Sequence, residues 1–172
     1  MKRFLLKSVL VISVLTIIIV ILNQFIMRNI KTEVVINASV EEVWNVLMDH
    51  QSYPKWNPFI KQISGSTQPG NYLQVMLQSE GNKPMQFKPI VLSNSLNNEF
   101  RWKGKLFIKG LFDGEHYFLL EKIDDNHTKF IQGENFTGLL SGLLFKMIGK
   151  DTEDGFNAMN LALKNVVEEL PN

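Results

Sequence analysis

Residues 39–60, SVEEVWNVLMDHQSYPKWNPFI, constrain the fold of this chain more than any other stretch. Ser39 and Glu42 have the spacing of a capping box, in which the serine hydroxyl takes an amide three residues on and the glutamate reaches back. A helix therefore opens at this point and runs to about Met48, with Val43, Val46 and Leu47 on one face and Trp44 beside them. Residues 49–52 break it. The segment Tyr53-Pro54-Lys55-Trp56-Asn57-Pro58 is too proline-bound for more than one turn. A short amphipathic helix ending in an aromatic knot needs a large apolar partner, and we expect this stretch to form one wall of an apolar cavity.

What precedes the helix divides in two. Residues 8–27 are twenty consecutive uncharged residues, dense in Val, Ile and Leu, close to the length a bilayer core requires of a helix. Lys2, Arg3 and Lys7 come before the run, and Arg28 and Lys31 after it. Its exit, Asn23-Gln24-Phe25-Ile26-Met27, has no small-x-small cleavage pattern, so an uncleaved anchor is expected rather than a cleaved signal peptide. No polar face interrupts residues 9–22, which argues against a buried core helix. The slight excess of basic residues before the span puts the amino terminus in the cytoplasm and the domain on the extracytoplasmic side. The expected organisation is an anchor over residues 1–31 and one domain over 32–172.

Residues 1–31 hold five of the eighteen Lys and Arg and none of the seventeen Asp and Glu. The remaining domain is therefore mildly acidic, with no electrostatic footprint for nucleic acid. There is no cysteine, which excludes disulfides, thiolate catalysis and Cys-ligated metals.

After the leader, residues 33–38 read as a short β-branched strand. Further strands are expected over 59–64, 72–78, 85–92, 100–108, 115–123 and 128–136, separated by turn clusters at 65–70, 81–84, 93–98, 110–114 and 124–126. Pro89 inside the third of these argues for an edge or a bulge. Residues 138–149, GLLSGLLFKMIG, read as a loop or helical lead-in over the cavity mouth. Residues 151–170 form a long amphipathic helix whose buried stripe is Phe156, Met159, Leu163, Val166, Val167 and Leu170. Asp151, Glu153 and Asp154 then suit its first turn. The class is α+β: a curved antiparallel sheet gripping one long helix, with an interior left partly unfilled.

Three side-chain sets carry possible chemistry. His50 and His127 fall in turns and read as solvated. His116 shares a strand face with Phe118 and Leu120, so it lies in the cavity if that face is concave. Glu134 alternates with Phe130, Gln132 and Phe136 on the next strand, where it can meet His116, as a structural pair or as general acid and base. Phe100 and Trp102 point inward, leaving Arg101 outward. Trp56 plugs one end of the core or touches ligand, and Asn57 makes local turn hydrogen bonds. No histidine has metal spacing, and no nucleophile elbow, phosphate loop or dinucleotide glycine pattern occurs. No metal and no cofactor are expected.

Taken together, INASVEEVWNVLMDHQSYPKWNPFI (36–60), GEHYFLLEKIDDNHTKFIQGENFTGLL (114–140) and DGFNAMNLALKNVVEE (154–169) resemble the START-related superfamily of helix-grip proteins. Within it, the chain is most similar to the polyketide cyclase/dehydrase-like branch, often called SRPBCC. The resemblance covers about residues 32–170 and departs from most members in the N-terminal apolar segment. It implies a helix-grip fold that binds a lipid, sterol, polyketide or other hydrophobic molecule. Trp56, Phe100, Trp102, His116, Phe118, Phe130 and Glu134 are then the candidate ligand contacts, and His116 with Glu134 the candidate catalytic pair. The leading expectation is a membrane-anchored binder, held by residues 8–27. The alternatives are a cyclase- or hydrolase-type enzyme in the same cavity, and an interaction module presenting residues 138–149 to a protein or the membrane.

Overall fold

The computed structural model describes residues 2–24, 26–78, 81, 83–106 and 108–170, and the side chains of 2–6, 19–21, 23 and 24 are left aside. Asn82 and Phe107, expected in a turn and in a strand, lie outside the described residues.

The leader forms α1 (Lys2–Gln24). Its described apolar side chains, including Val9, Leu10, Val11, Ile12, Leu15, Ile17 and Leu22, are exposed. Among the described residues no helix is long and apolar enough to cross a membrane, and part of the expected span of 8–27 lies outside those residues. The domain then runs β1 (Arg28–Ile36), α2 (Val40–Met48), α3 (Tyr53–Trp56), β2 (Ile60–Gly65), β3 (Leu73–Leu77), β4 (Met85–Phe87) and β5 (Ile90–Ser95). It continues with β6 (Glu99–Leu106), β7 (Phe112–Asp124), β8 (His127–Thr137) and α4 (Ser141–Glu168). Five strands form an antiparallel sheet in the order β1-β8-β7-β6-β5, and three more form β2-β3-β4. An isolated bridge from Tyr72 to Ile90 joins the two. This is the expected α+β grip around one long helix.

The differences from the expected elements have local causes. β1 starts at Arg28 rather than at residue 33, because it pairs with β8 along its whole length, from Arg28 opposite Phe136 to Ile36 opposite Thr128. Lys88 and Pro89 split the expected strand over 85–92 into β4 and β5, since proline cannot donate to a ladder. β5 continues through Ser95, and the turn behind it is made at Asn97, whose φ of 58° is left-handed.

The largest correction concerns α4. Of the two readings of residues 138–149, the helical lead-in holds from Ser141, and these turns belong to α4 itself, so the helix is 28 residues long. Leu144, Phe145 and Ile148 pack against the core, and the Phe145 ring meets Phe136 at 5.7 Å, which outweighs the helix-weakening glycines. Asp151, Glu153 and Asp154 are consequently mid-helix, where Lys150 pairs with Asp154 at 2.8 Å. Phe156, Met159, Leu163 and Val167 are buried as expected, whereas Val166 is half-buried and Leu170, past the helix end, is exposed.

The knot packs onto this helix. A Cβ at Gly155 would meet the Phe59 ring, so the glycine is what lets α4 approach, and Phe59 then lies edge-on to Phe156 at 5.7 Å. The capping box at Ser39 and Glu42 forms in both directions. Asn57 caps the following strand, its side-chain oxygen accepting from the Phe59 and Ile60 amides at 2.9 and 2.8 Å. Tyr53, fully buried, donates to the Leu47 carbonyl at 2.6 Å.

Candidate functional site

The concave face of the five-stranded sheet brings Phe100 and Trp102 from β6, His116 and Phe118 from β7, and Phe130 from β8 onto one surface, all of them buried. They are not spread around an open void. Trp102 stacks on His116 at 4.4 Å, and His116 meets Phe118 at 4.8 Å and Phe156 of α4 at 5.1 Å. Phe118 lies 5.5 Å from Phe130, and Phe100 lies 5.2 Å from Trp102. Of the expected ligand contacts, Phe100, Trp102, His116, Phe118 and Phe130 are thus packed on one another between sheet and helix. A separate groove of about 270 Å³ lies on the small sheet, lined by Gln62, Gln74, Val75, Met76, Gln86, Phe87 and Lys88. Its lining is mixed, none of Phe100, Trp102, His116, Phe118 and Phe130 contributes to it, and we assign it no role.

His116 and Glu134 are directly opposed in the β7–β8 register, with Nδ1 3.7 Å from Oε2. Glu134 is half-buried, and its carboxylate lies over Gly114, where a Cβ would collide with it. On its other side the His116 ring meets Gln132, Nε2 to Nε2 at 3.5 Å. Gln132 is fully buried, and its Nε2 also reaches Met159 Sδ at 3.5 Å. From α4, Asn160 donates through Nδ2 to Thr32 Oγ1 at 2.9 Å, and Thr32 donates to the Gln132 carbonyl at 3.4 Å. A polar seam therefore crosses an otherwise aromatic core, from Glu134 through His116 and Gln132 to Thr32 and Asn160.

Trp56 is placed apart from this seam. It is half-buried in the knot, donating to Ser52 Oγ at 3.0 Å and resting edge-on to Tyr53 at 4.9 Å. Arg101 faces outward as expected, held by Glu99 and Glu115.

His50 corrects the sequence reading. It is not a solvated turn residue: its ring packs against Tyr53 at 5.3 Å and Phe100 at 5.6 Å. Its Nε2 is buried with no hydrogen-bond partner among the described residues. Burial pushes its pKa down to about 4, with Asp49 pulling the other way. The signal was present, because Val43, Leu47 and His50 follow the i, i+4, i+7 spacing of one helix face. His127 is the surface residue expected, paired with Asp124 at 2.8 Å. Sequence reasoning also passed over Thr32, which it placed at the domain boundary, and Asn160, one helical turn beyond Phe156 on the buried stripe.

With this geometry in view, the comparisons agree. Residues 27–168 match the family described as polyketide cyclase / dehydrase and lipid transport, and the chain belongs to that family. None of the curated proteins matches it. The solved structures it resembles include the Zhui aromatase/cyclase from a Streptomyces species, with a TM-score of 0.68 and 13% identity over 83% of this chain and 94% of that one. A START superfamily protein from Mycobacterium smegmatis superposes with a TM-score of 0.64 and 18% identity, over 83% and 99%. Norcoclaurine synthase from Thalictrum flavum, in complex with dopamine and hydroxybenzaldehyde, gives 0.66 and 15%, over 88% and 94%. At these identities the likeness is one of fold.

Proposed function

We propose that this protein binds a hydrophobic small molecule or lipid between the concave sheet and α4, and that the leader holds it beside a bilayer. The observation that carries the reading is the aromatic face of Phe100, Trp102, Phe118 and Phe130, crossed by one polar seam, within a family described by cyclase and lipid-transport activities. Rings packed only on one another give way to a ligand by changing rotamers, at the cost of contacts the ligand replaces. The test is titration of the full chain with an apolar fluorophore such as N-phenyl-1-naphthylamine. Saturable binding that is weakened by Trp102→Ala supports the reading, and the absence of binding overturns it.

The tether is supported by the exposed apolar side chains of α1 and by basic residues on both sides of it. The full chain is expected to stay with membranes through an alkaline carbonate wash, with the domain protease-accessible from the extracytoplasmic side. Release by the wash would remove the tether and leave the binding reading standing.

The facing of His116 and Glu134 at 3.7 Å favours one second reading, a cyclase- or hydrolase-type enzyme with these two as base and acid. Turnover of an identified substrate that is unchanged in His116→Ala would remove it. The interaction-module reading of residues 138–149 rests on Leu143 and Met147, the exposed apolar residues of the first turns of α4.

A further inference from the structure

Two carboxamides in the seam are each satisfied on one side only. Gln132 Oε1 and Asn160 Oδ1 are both buried, and both lack a hydrogen-bond partner among the described residues. Their side chains are held in these orientations by neighbours. A His116 ring protonated at Nδ1 points that hydrogen at Glu134 and leaves Nε2 as an acceptor. Gln132 then turns its NH₂ group towards His116 and Met159, so its oxygen is left over. Thr32 uses its hydroxyl hydrogen on the Gln132 carbonyl and can only accept from Asn160, so Asn160 turns its NH₂ to Thr32 and its oxygen too is left over. A buried acceptor without a donor is a large local cost, and a well-packed core seldom carries two in one cluster.

From this we infer that Gln132 and Asn160 form a donor-accepting subsite that takes the hydroxyl group of an otherwise apolar ligand. The inference rests on the binding reading above and narrows it. Two carboxamide oxygens repel an anion, which excludes fatty-acid carboxylates and lipid phosphates from this point. They are also too weak to compensate a buried ammonium group, whose desolvation in an aromatic surround is severe. A neutral alcohol or phenol supplies a hydrogen to one of the two oxygens at little desolvation cost, while its hydrocarbon part replaces ring-to-ring contacts among Trp102, Phe118 and Phe156.

The experiment compares 1-dodecanol, dodecyl methyl ether and dodecanoate as displacers of N-phenyl-1-naphthylamine from the full-length protein. The alcohol is expected to displace at concentrations roughly fivefold lower than the ether, the worth of one net hydrogen bond, with dodecanoate weakest. Gln132→Met and Asn160→Leu approximate the shapes of the amides they replace, although each also removes a donor, and circular dichroism verifies that the variants fold. The two substitutions together should bring alcohol and ether within about twofold of one another, by weakening the alcohol more than the ether. Thr32→Val, which touches no ligand here but releases Asn160, should also narrow the ratio. If alcohol and ether displace equally from the unmodified protein, the two oxygens hold only water and the subsite is wrong while the binding reading survives. If dodecanoate displaces best, the subsite is again wrong. If the fluorophore never binds, both readings fall together.

Discussion

Strands β6, β7 and β8 carry charged side chains on both faces, and a cluster on the outer face is built to different rules from the one on the inner face. On the outer face Arg101 is held by Glu99 and by Glu115 at 2.7 Å, with its guanidinium 4.8 Å from the Tyr117 ring centroid, and Tyr117 lies across Gly133. Arg101 there has one partner on its own strand, Glu99, and one on the neighbouring strand, Glu115, and the cluster is partly exposed. On the inner face the His116–Glu134 pair is longer, its histidine is enclosed by Trp102, Phe118 and Phe156, and it belongs to a seam in which two oxygens have no partner among the described residues. The outer cluster is complete without any other molecule. The inner one has polar atoms without partners among the described residues, and that contrast is what supports placing the proposed site on the concave side.

The contrast can be sharpened by substitution. Phe156→Ala removes a fully buried ring that touches both His116 and Phe59, and a cost of about 3–5 kcal/mol is expected by urea denaturation. A cost below about 1 kcal/mol would mean the inner face is loosely packed, contrary to the description above.

His50 tests the same face through pH. Folded, it stays neutral down to about 4, whereas unfolded it takes up a proton near its ordinary 6.5. The unfolded state therefore binds more protons between these values, so stability is full above about 6.5 and is lost as pH falls towards 4. The loss is on the order of 1–3 kcal/mol, and His50→Phe should remove that part of the slope. An unchanged slope in the variant would assign it to other groups.

The smallest effect is expected outside. Arg101→Met should cost no more than about 1 kcal/mol, since the pair is partly exposed and screened by solvent, and should leave fluorophore binding unchanged. A loss of binding there would undo the division of the two faces.

How much of this was legible in the sequence differs between the two kinds of element. The capping box, the knot and the alternation of β6 to β8 are local patterns, so the inward turn of Phe100, Trp102, His116 and Phe118 followed from period two. Register did not. That His116 stands directly opposite Glu134 depends on where the turn at Asp124 closes and on the irregularity between Lys122 and Asp124. The choice between a loop and a helical lead-in over 138–149 stayed open because Gly142 and Gly149 look like breakers until Phe145 is seen against Phe136. Asn160 and Thr32 were missed because polar residues on an apolar stripe read as boundary residues unless their partner, far away in sequence, is known.

The central claim is that the concave face holds a hydrophobic molecule, and native mass spectrometry of the full-length protein, released gently from its own host, tests it most directly. The account predicts a protein ion carrying a retained neutral molecule, rich in hydrocarbon and bearing a hydroxyl group, that is lost in Trp102→Ala. Bare protein at every charge state in both, with no fluorophore binding in solution, would contradict it.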